Sequence, residues 1–199
     1  MIAWMQNWST IGAKPDHCRW FGQMSIPREL SIKNGRLFQN PVRELENYRG
    51  LSVLHRNIPV SGEVNLPGVR GRLVDMTVTI RPTGNEMYRW FRIHVAKDGE
   101  HDTIIRYRPD QGTLKLDRTR SGLPFDIVHT RSFLVRPLEN GELKLRILLD
   151  RFSLEVFVNE GETAASAVIY TRQEADAISF EAGGSALMDV EKYELIFEN

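Results

Sequence analysis

The chain has 199 residues, enough for one large domain or for one domain with a small appendage. Its 26 basic and 26 acidic residues cancel, so there is no electrostatic reason to expect nucleic acid or an anionic membrane as a partner. No apolar run approaches the roughly 18 residues needed to cross a bilayer. A single cysteine, Cys18, excludes an internal disulfide and favours the cytoplasm.

The first twenty residues carry three of the four tryptophans, Trp4, Trp8 and Trp20. They contain no basic segment followed by a long apolar one, so we do not expect a secretory signal. A free N-terminus usually frays, and one as aromatic as this needs a surface to pack against. Two interpretations are open: the segment folds back on the core of this chain, or it is an element of a larger neighbouring unit.

Residues 23–38 contain two alternating runs around Asn34-Gly35, the dipeptide most typical of a two-residue β-hairpin loop. Pro27 fits an edge strand or a bulge. The stretch that follows is polar, with a proline near its start and a glycine at its end, and it predicts a linking turn. The chain is therefore predicted to divide into residues 1–38, a linker at 39–50 and a main domain at 51–199.

From residue 51 onward, short alternating runs and turns rich in glycine, asparagine and aspartate follow one another without an amphipathic helix. Strands are predicted at 51–54, 63–66, 72–81, 88–96, 103–108, 113–117, 132–136, 143–149, 152–158, 164–170, 176–181 and 186–197. Ala182-Gly183-Gly184 is predicted to be a turn between the last two. This spacing favours an all-β fold of two stacked antiparallel sheets.

The densest run of apolar β-formers, residues 143–158, predicts a hairpin around Asp150-Arg151. Pairing Leu149 with Phe152 gathers eight apolar residues on one face, because side chains alternate along a strand. The same register puts Arg146 opposite Glu155, an ion pair that typically contributes about 0.2–1 kcal/mol. We therefore expect one buried face and one polar face.

Six acidic residues are candidates for glycoside hydrolysis by residue type alone, since that reaction needs two carboxylates roughly 5–5.5 Å or 6.5–9.5 Å apart. They are Asp75, Asp102, Asp117, Asp126, Asp150 and Glu155. A structural role is favoured for each, such as a turn for Asp150 and a strand end for Asp117. The five histidines lack metal-ligand spacing, and phosphate-binding and nucleophile-elbow motifs are absent, so neither a metal nor a cofactor is predicted.

Two further features have a structural and a binding interpretation. On the strand predicted at 88–96, Tyr88 and Trp90 share a face, for which core packing is favoured over stacking on a carbohydrate. The polar loop at 117–122 contains Asp117, Arg118, Ser121 and Gly122. It is either a solvated turn or a segment that docks on a partner domain.

Five ordered segments carry a resemblance to a known family. They read AWMQNW at 3–8, WFGQMSIPREL at 20–30, PVREL at 41–45, DRTRSG at 117–122 and LDRFSLEVFVN at 149–159. Together they resemble the closing part of glycoside hydrolase family 32, which contains invertases, sucrose-6-phosphate hydrolases, levanases and inulinases. The last two segments resemble the C-terminal signature of that family.

The resemblance implies a five-bladed β-propeller followed by a β-sandwich of concanavalin-like or jelly-roll type. Residues 1–38 would be remnant strands of the last blade, and 51–199 would be the sandwich. It also implies that the parent enzyme cleaves terminal β-fructofuranosyl bonds with an aspartate nucleophile, an aspartate in R-D-P and a glutamate in E-C, all in the propeller. None of these motifs occurs in this sequence, so no catalytic residue is carried over.

The chain is therefore predicted to be a non-catalytic module that braces the propeller and contributes to oligomerisation. A free-standing carbohydrate-binding sandwich is the alternative, and an active small hydrolase is disfavoured. The partner is predicted to be the propeller or a second copy bound through strand edges in residues 1–38, because unpaired edges pair readily. Secretion of the parent enzyme is left open. The inter-domain or structural signature is assigned to Asp117, Arg118, Ser121, Gly122, Arg146, Asp150 and Glu155.

Overall fold

The structure, a computed structural model, describes residues 1–6, 14, 17, 22–84, 86–122 and 128–197. Predictions that concern Trp8, Cys18, Trp20 and Asp126 fall outside these ranges. The strands within them are β1 (Arg28–Lys33), β2 (Arg36–Pro41), β3 (Arg49–Val64), β4 (Val74–Pro82), β5 (Trp90–Lys97), β6 (Asp102–Arg108), β7 (Thr113–Arg120), β8 (Thr130–Leu134), β9 (Leu143–Asp150), β10 (Ser153–Val158), β11 (Thr163–Val168) and β12 (Ala177–Leu195). No helix in the described ranges is long and apolar enough to cross a membrane.

The N-terminal hairpin consists of β1 and β2, which pair antiparallel from Arg28 opposite Pro41 to Lys33 opposite Arg36. Its turn residues, Asn34 and Gly35, both have positive φ angles, 51° and 73°. That geometry is typical of the type I′ turn that an Asn-Gly pair forms. The predicted hairpin is therefore confirmed. Backbone hydrogen bonds join residues 1–5 to residues 23–28, so the first residues extend the hairpin as a third segment.

The remaining strands form a single antiparallel ladder in the order β11-β10-β9-β4-β12-β5-β6-β7-β8, with β3 paired to the free side of β12. Strand β5 runs beside the first half of β12 and β4 beside its second half. The ladder therefore divides into a first sheet that contains β4, β9, β10 and β11 and a second sheet that contains β5 to β8. Strands β12 and β3 belong to both, and the all-β sandwich prediction is confirmed.

Strand β12 runs from one sheet into the other, and two predictions about where strands end are therefore wrong. Residues 176–181 and 186–197 are one strand rather than two, and Ala182-Gly183-Gly184 lies inside it as a bend with a shifted register. The strands predicted at 51–54 and 63–66 are likewise one strand, β3, which has a positive φ of 90° at Gly62 beside the bend. Glycine and bulges allow a strand to change sheets without ending, so turn-like residues here mark a corner rather than a loop.

A single apolar core lies between the two sheets. Alternate residues of β4 and β9 contribute from the first sheet, and alternate residues of β5, β6 and β7 contribute from the second. Each fully buried large side chain typically contributes about 1.5–3 kcal/mol. The largest in this core are Tyr88, Tyr107, Phe91, Phe180, Met76, Ile80, Ile93, Ile105, Leu114, Leu143 and Leu145.

The β9–β10 hairpin forms with a register two residues away from the predicted one. Leu149 pairs with Leu154 instead of Phe152, and the loop is Arg151-Phe152 instead of Asp150-Arg151. The apolar face survives because a shift of two residues keeps every side chain on its own side. The loop position is held by distant groups: the carbonyl of Arg151 accepts a hydrogen bond from Arg72, and that of Phe152 accepts one from Gln23.

We predict that Gly183→Ala destabilises the protein by about 1–3 kcal/mol, the usual cost of overpacking a filled site. A β-carbon at residue 183 would lie 2.4 Å from the Cε2 and Nε1 atoms of Trp90, so the indole has to move. The free energy of unfolding in urea measures the effect. Gly99→Ala is the matched control, because nothing lies within 4 Å of its β-carbon position. Equal stability of the two variants would contradict the prediction.

Candidate functional site

Strand β10 is buried along its whole length. A strand with one face toward the core and one toward solvent would alternate between buried and exposed residues. Leu154, Val156 and Val158 face the core, as predicted. Glu155 and Phe157 face the other way, yet both are buried as well. The N-terminal hairpin covers this side, so the prediction of a single buried face is wrong and the outer face of the first sheet is an internal contact surface.

The centre of this hairpin–sandwich contact is a buried ion pair between Arg28 of β1 and Glu155 of β10, which are 8% and 0% exposed. The Arg28 guanidinium donates to a Glu155 carboxylate oxygen and also to Ser166 Oγ at 2.5 Å. The second carboxylate oxygen accepts from the backbone N–H of Ile26 at 2.6 Å. Arg28 also lies 5.1 Å from the centroid of the Phe157 ring. Donors from both sides thus replace the water that Glu155 loses on burial.

The hairpin–sandwich contact continues along β2, where the backbone of Gln39 approaches that of Gly161 closely. A β-carbon on Gly161 would lie 2.2 Å from the carbonyl oxygen of Gln39, and Gly161 has a φ of 92°. Only glycine satisfies both conditions without strain. Beside it, Asn40 donates to the carbonyl of Glu160 at 2.7 Å, and Arg36 forms an exposed ion pair with Glu162.

A second buried carboxylate, Asp75 of β4, lies on the same outer face of the first sheet. It accepts hydrogen bonds from Arg146 at 2.8 and 3.0 Å and from Arg49 at 2.8 Å. Glu46, in the short 3-10 helix Arg43–Tyr48, adds an ion pair to Arg146 at 3.2 Å. Burial acts to lower the pKa of Arg146, but the hydrogen bonds and charge of Asp75 outweigh it and raise that pKa.

The predicted Arg146–Glu155 pair is therefore wrong. In the observed register Arg146 lies opposite Phe157, while Glu155 lies opposite Leu148 on one side and Ser166 on the other. Each charge has a partner that is distant in sequence: Asp75 for Arg146 and Arg28 for Glu155. Pairing within one hairpin cannot identify such partners, because they come from strands and segments that only the tertiary fold brings close.

Most of the loop predicted at 117–122 is strand, since residues 117–120 are the end of β7, and its side chains bind neighbouring segments of this chain. Arg118 donates to the carbonyls of Val168 at 2.9 Å and Val128 at 3.0 Å. Burial, together with the nearby charge of Arg131, lowers the pKa of Arg118. Burial acts to raise the pKa of Asp117, but hydrogen bonds from Thr119 and Lys115 outweigh it and lower the pKa. Both residues thus have structural partners.

Ser121 and Gly122 complete the attachment of this loop to the end of β11. Ser121 is buried, donates through its hydroxyl to the carbonyl of Arg118, and accepts from the N–H of Tyr170 at 2.8 Å. A β-carbon on Gly122 would lie 2.6 Å from the carbonyl oxygen of Tyr170. The Tyr170 hydroxyl in turn accepts a hydrogen bond from Gln6 at 2.7 Å. Both signature segments therefore position residues that meet the N-terminal part of the chain.

The candidate acidic residues that lie within the described ranges have structural partners. Asp150 accepts from the N–H of Arg151 in the β9–β10 turn. Asp102 binds His94 at 2.8 Å, and this hydrogen bond lowers the pKa of Asp102 although burial opposes it. Within the described ranges, no group of three or more histidine, cysteine and acidic side chains could hold a metal ion.

Tyr88 and Trp90 do not form an exposed aromatic pair. Tyr88 precedes β5, is 2% exposed and packs edge-on against Phe91 and Tyr107 in the core. Trp90 is half-buried: its indole lies against the backbone of Gly183, with the Arg92 guanidinium 4.1 Å from its centroid. Core packing therefore describes Tyr88, whereas Trp90 lies outside the apolar core, and the two do not share one face as predicted.

Sequence reasoning missed the residues that complete the contact, Arg28, Ser166 and the N–H of Ile26. Arg28 lies in a segment that resembles the family and Asp75 is one of the acidic residues, but neither pattern assigns it a partner. One usable signal was present. Glu155 interrupts an otherwise apolar strand whose neighbours are buried, and a buried carboxylate requires a cationic partner.

We predict that Glu155→Gln destabilises the protein by about 3–5 kcal/mol, because it leaves the buried Arg28 guanidinium without its counter-charge. Urea unfolding measures the loss, and faster proteolysis within residues 22–41 would show that the hairpin separates first. The control is Glu162→Gln, which removes an exposed ion pair with Arg36 at the rim of the same contact. It should cost about 1 kcal/mol or less, and a comparable loss in both variants would refute a central role for Glu155.

Comparisons with known proteins agree with this arrangement of two joined parts. The family profile described as the C-terminal domain of glycosyl hydrolases family 32 matches residues 44–195, and the N-terminal domain profile of the same family matches residues 1–41. A levanase of Bacillus sp. (strain L7) is 32% identical over 194 residues, covering 92% of this chain and 21% of the levanase. A sucrose-6-phosphate hydrolase of Staphylococcus xylosus is 29% identical over 200 residues, covering 98% of this chain and 39% of that protein.

Solved structures show the same fold at lower sequence identity. An exo-inulinase from Aspergillus awamori superposes with a TM-score of 0.78 at 23% identity, covering 98% of this chain and 40% of that chain. A fructofuranosidase from Schwanniomyces occidentalis has a TM-score of 0.80 at 16% identity, covering 98% and 45%. This chain thus spans less than half the length of the relatives and structures it matches. The chain belongs to glycosyl hydrolase family 32, as the C-terminal domain of that family joined to a short part of its N-terminal domain.

Proposed function

We propose that this chain is the non-catalytic C-terminal part of a β-fructosidase and that it braces the catalytic propeller. The observation that carries the proposal is the buried Arg28–Glu155 contact, in which the sandwich holds a hairpin that matches the N-terminal domain of the family. The parent activity is hydrolysis of terminal β-fructofuranosyl bonds. Relatives named levanase, raffinose invertase and sucrose-6-phosphate hydrolase support this substrate class.

The burial and bonding of two carboxylates support the proposal that this chain alone is not catalytic. Glu155 and Asp75 are the fully buried ones among the described residues, and each is bound by arginines. A general acid must reach the glycosidic oxygen of its substrate, whereas these two carboxylates are enclosed and already accept hydrogen bonds from the chain itself. The aspartate and glutamate motifs that the family uses in its propeller do not occur in the sequence.

The hairpin itself supports docking to further strands. Leu30, Ile32 and Leu37 share one of its faces and are 49%, 78% and 49% exposed. Strand β1 pairs with β2 along one edge. Beyond Arg28, its other edge has no strand partner among the described residues. Exposed apolar side chains beside an open edge form a surface that binds another strand. The remaining propeller strands are the proposed occupant, and a second copy takes their place when the propeller is absent.

We predict that the purified chain releases no fructose from sucrose, levan or inulin above the rate of buffer alone. The physical reason is that Glu155 and Asp75 are enclosed by the chain and bonded to arginines, out of reach of a substrate. A sensitive assay of free fructose, with a family-32 levanase as the positive control, measures this. Fructose release that is retained by the purified chain after rechromatography would overturn the non-catalytic assignment.

We predict that the chain captures a propeller portion of a family-32 relative that lacks its own last hairpin and sandwich, and that Ile32→Asp weakens capture at least about tenfold. An aspartate on the exposed apolar face would have to be desolvated on docking. The same substitution should abolish self-association of the isolated chain in sedimentation velocity.

The matched control for this test is Leu51→Asp, which alters an equally exposed apolar residue on β3, away from the hairpin. It should leave both capture and sedimentation unchanged. Failure of the unaltered chain to bind the propeller portion would argue against a bracing role. Equal effects of the two substitutions would place the docking surface elsewhere.

A further inference from the structure

The outer face of the second sheet carries a row of like charges whose central member has no compensating group among the described residues. Arg92 of β5 lies directly opposite Arg106 of β6, and Arg106 lies directly opposite Lys115 of β7. Residues paired in this way point to the same side of a sheet and bring their side chains within reach of one another. Like charges directly opposite each other are destabilising, so this row costs stability in the protein alone.

The two outer members of the row have carboxylate partners, but the central one has none. Arg92 binds Glu181 at 3.0 Å, and Lys115 binds Asp117 at 3.0 Å. Arg106 forms no ion pair with any described residue, and its Nε atom is buried without a hydrogen-bond partner. A buried donor that is left unsatisfied costs about the full desolvation penalty of the group. The terminal guanidinium nitrogens of Arg106 are not among the buried atoms, so they are the donors that an external acceptor can pair.

Space for such an acceptor exists next to Arg106. A cleft of about 630 Å³ is lined by Arg106 together with Arg89, Trp90, Arg92, Arg108 and Asp110, among other residues. Its volume is in the range of small-molecule sites. Arg108 is paired with Asp110 at 2.8 Å, while the exposed Arg89 has no ion pair with a described residue. The cleft thus has four arginines and one carboxylate in its wall.

The surroundings hold the cationic groups in place before any ligand arrives. The Arg92 guanidinium is fixed between the Trp90 ring and Glu181, and Trp90 is fixed against the backbone of Gly183. An arginine presents planar, paired donors that match the geometry of a phosphate or a carboxylate. A neutral or a cationic ligand would leave the positive charges of Arg92, Arg106 and Lys115 as they are. A small anion would reduce their mutual repulsion and also give Arg106 a hydrogen-bond acceptor.

We propose that this cleft binds a small oxyanion, carried as a phosphate ester or a carboxylate, with Arg106 as its central contact and Arg89 as a second. The site lies on the second sheet, away from the hairpin–sandwich contact on the first. It does not depend on the bracing role, so a failure of either proposal leaves the other standing.

The test is isothermal titration of the full chain with inorganic phosphate, a hexose phosphate, a hexuronate and neutral fructose at low ionic strength. We expect saturable binding of an anion, none of fructose, and weakening with added salt because the contact is partly exposed. Arg106→Gln should weaken anion binding at least about tenfold, since it removes a charge-assisted hydrogen bond. Preference for phosphate or for uronate identifies which oxyanion the site takes, and either supports the proposal.

Two controls keep the outcome decisive. Arg70→Gln removes an exposed arginine that is paired with Asp176 on another surface, and it should leave binding unchanged. In phosphate-free buffer, Arg106→Gln should melt no lower than the unaltered chain because it removes like-charge repulsion, which also shows that the variant is folded. The proposal is overturned if no anion binds at millimolar concentration, if Arg106→Gln binds as the unaltered chain does, or if that variant melts lower without phosphate.

Discussion

The carboxylate of Glu155 lies on a strand that is buried on both faces, and an ionised carboxylate is tolerated there only if donors replace its lost water. Two of those donors come from outside the sandwich, the Arg28 guanidinium and the N–H of Ile26, and a third is the Ser166 hydroxyl of β11. The first sheet is therefore complete only with the hairpin in place. Asp75 repeats the arrangement beside it, with Arg49 at the end of the linking segment as one of its partners.

This dependence joins two parts that differ in family assignment. The N-terminal profile ends at residue 41 and the C-terminal profile begins at residue 44. Contacts cross that boundary without a break: Arg28 to Glu155, Asn40 to Glu160, and the backbone of Gln39 against Gly161. A flexible linker between independent domains would carry few such contacts. The hairpin and the sandwich are consequently one packed unit, and the proposed bracing role rests on this packing.

The two outer faces of the sandwich differ in how their charges are satisfied. On the first sheet, carboxylates are buried and arginines from other segments reach them. On the second sheet, cationic side chains stand in a row, and Arg106 at its centre has no protein partner among the described residues. The first face is closed by the chain itself, and the second is open to a ligand. Strand β12 takes part in both sheets, so its bend at Gly183 connects them and also seats Trp90 beside the open cleft.

Local patterns in the sequence determined much of this fold. The alternation of apolar residues predicts most strands, Asn34-Gly35 predicts the N-terminal hairpin, and the five ordered segments identify the family. The reason is that strand faces, tight turns and family segments are encoded by residues close together in the chain. Only the tertiary structure decided which charges meet, that Glu155 binds Arg28 rather than Arg146, and that the glycines near residue 183 bend one strand instead of ending it. These outcomes depend on contacts between segments 71 to 127 residues apart, such as Asp75 with Arg146 and Arg28 with Glu155. The alternation of side chains along one strand holds no information about such contacts.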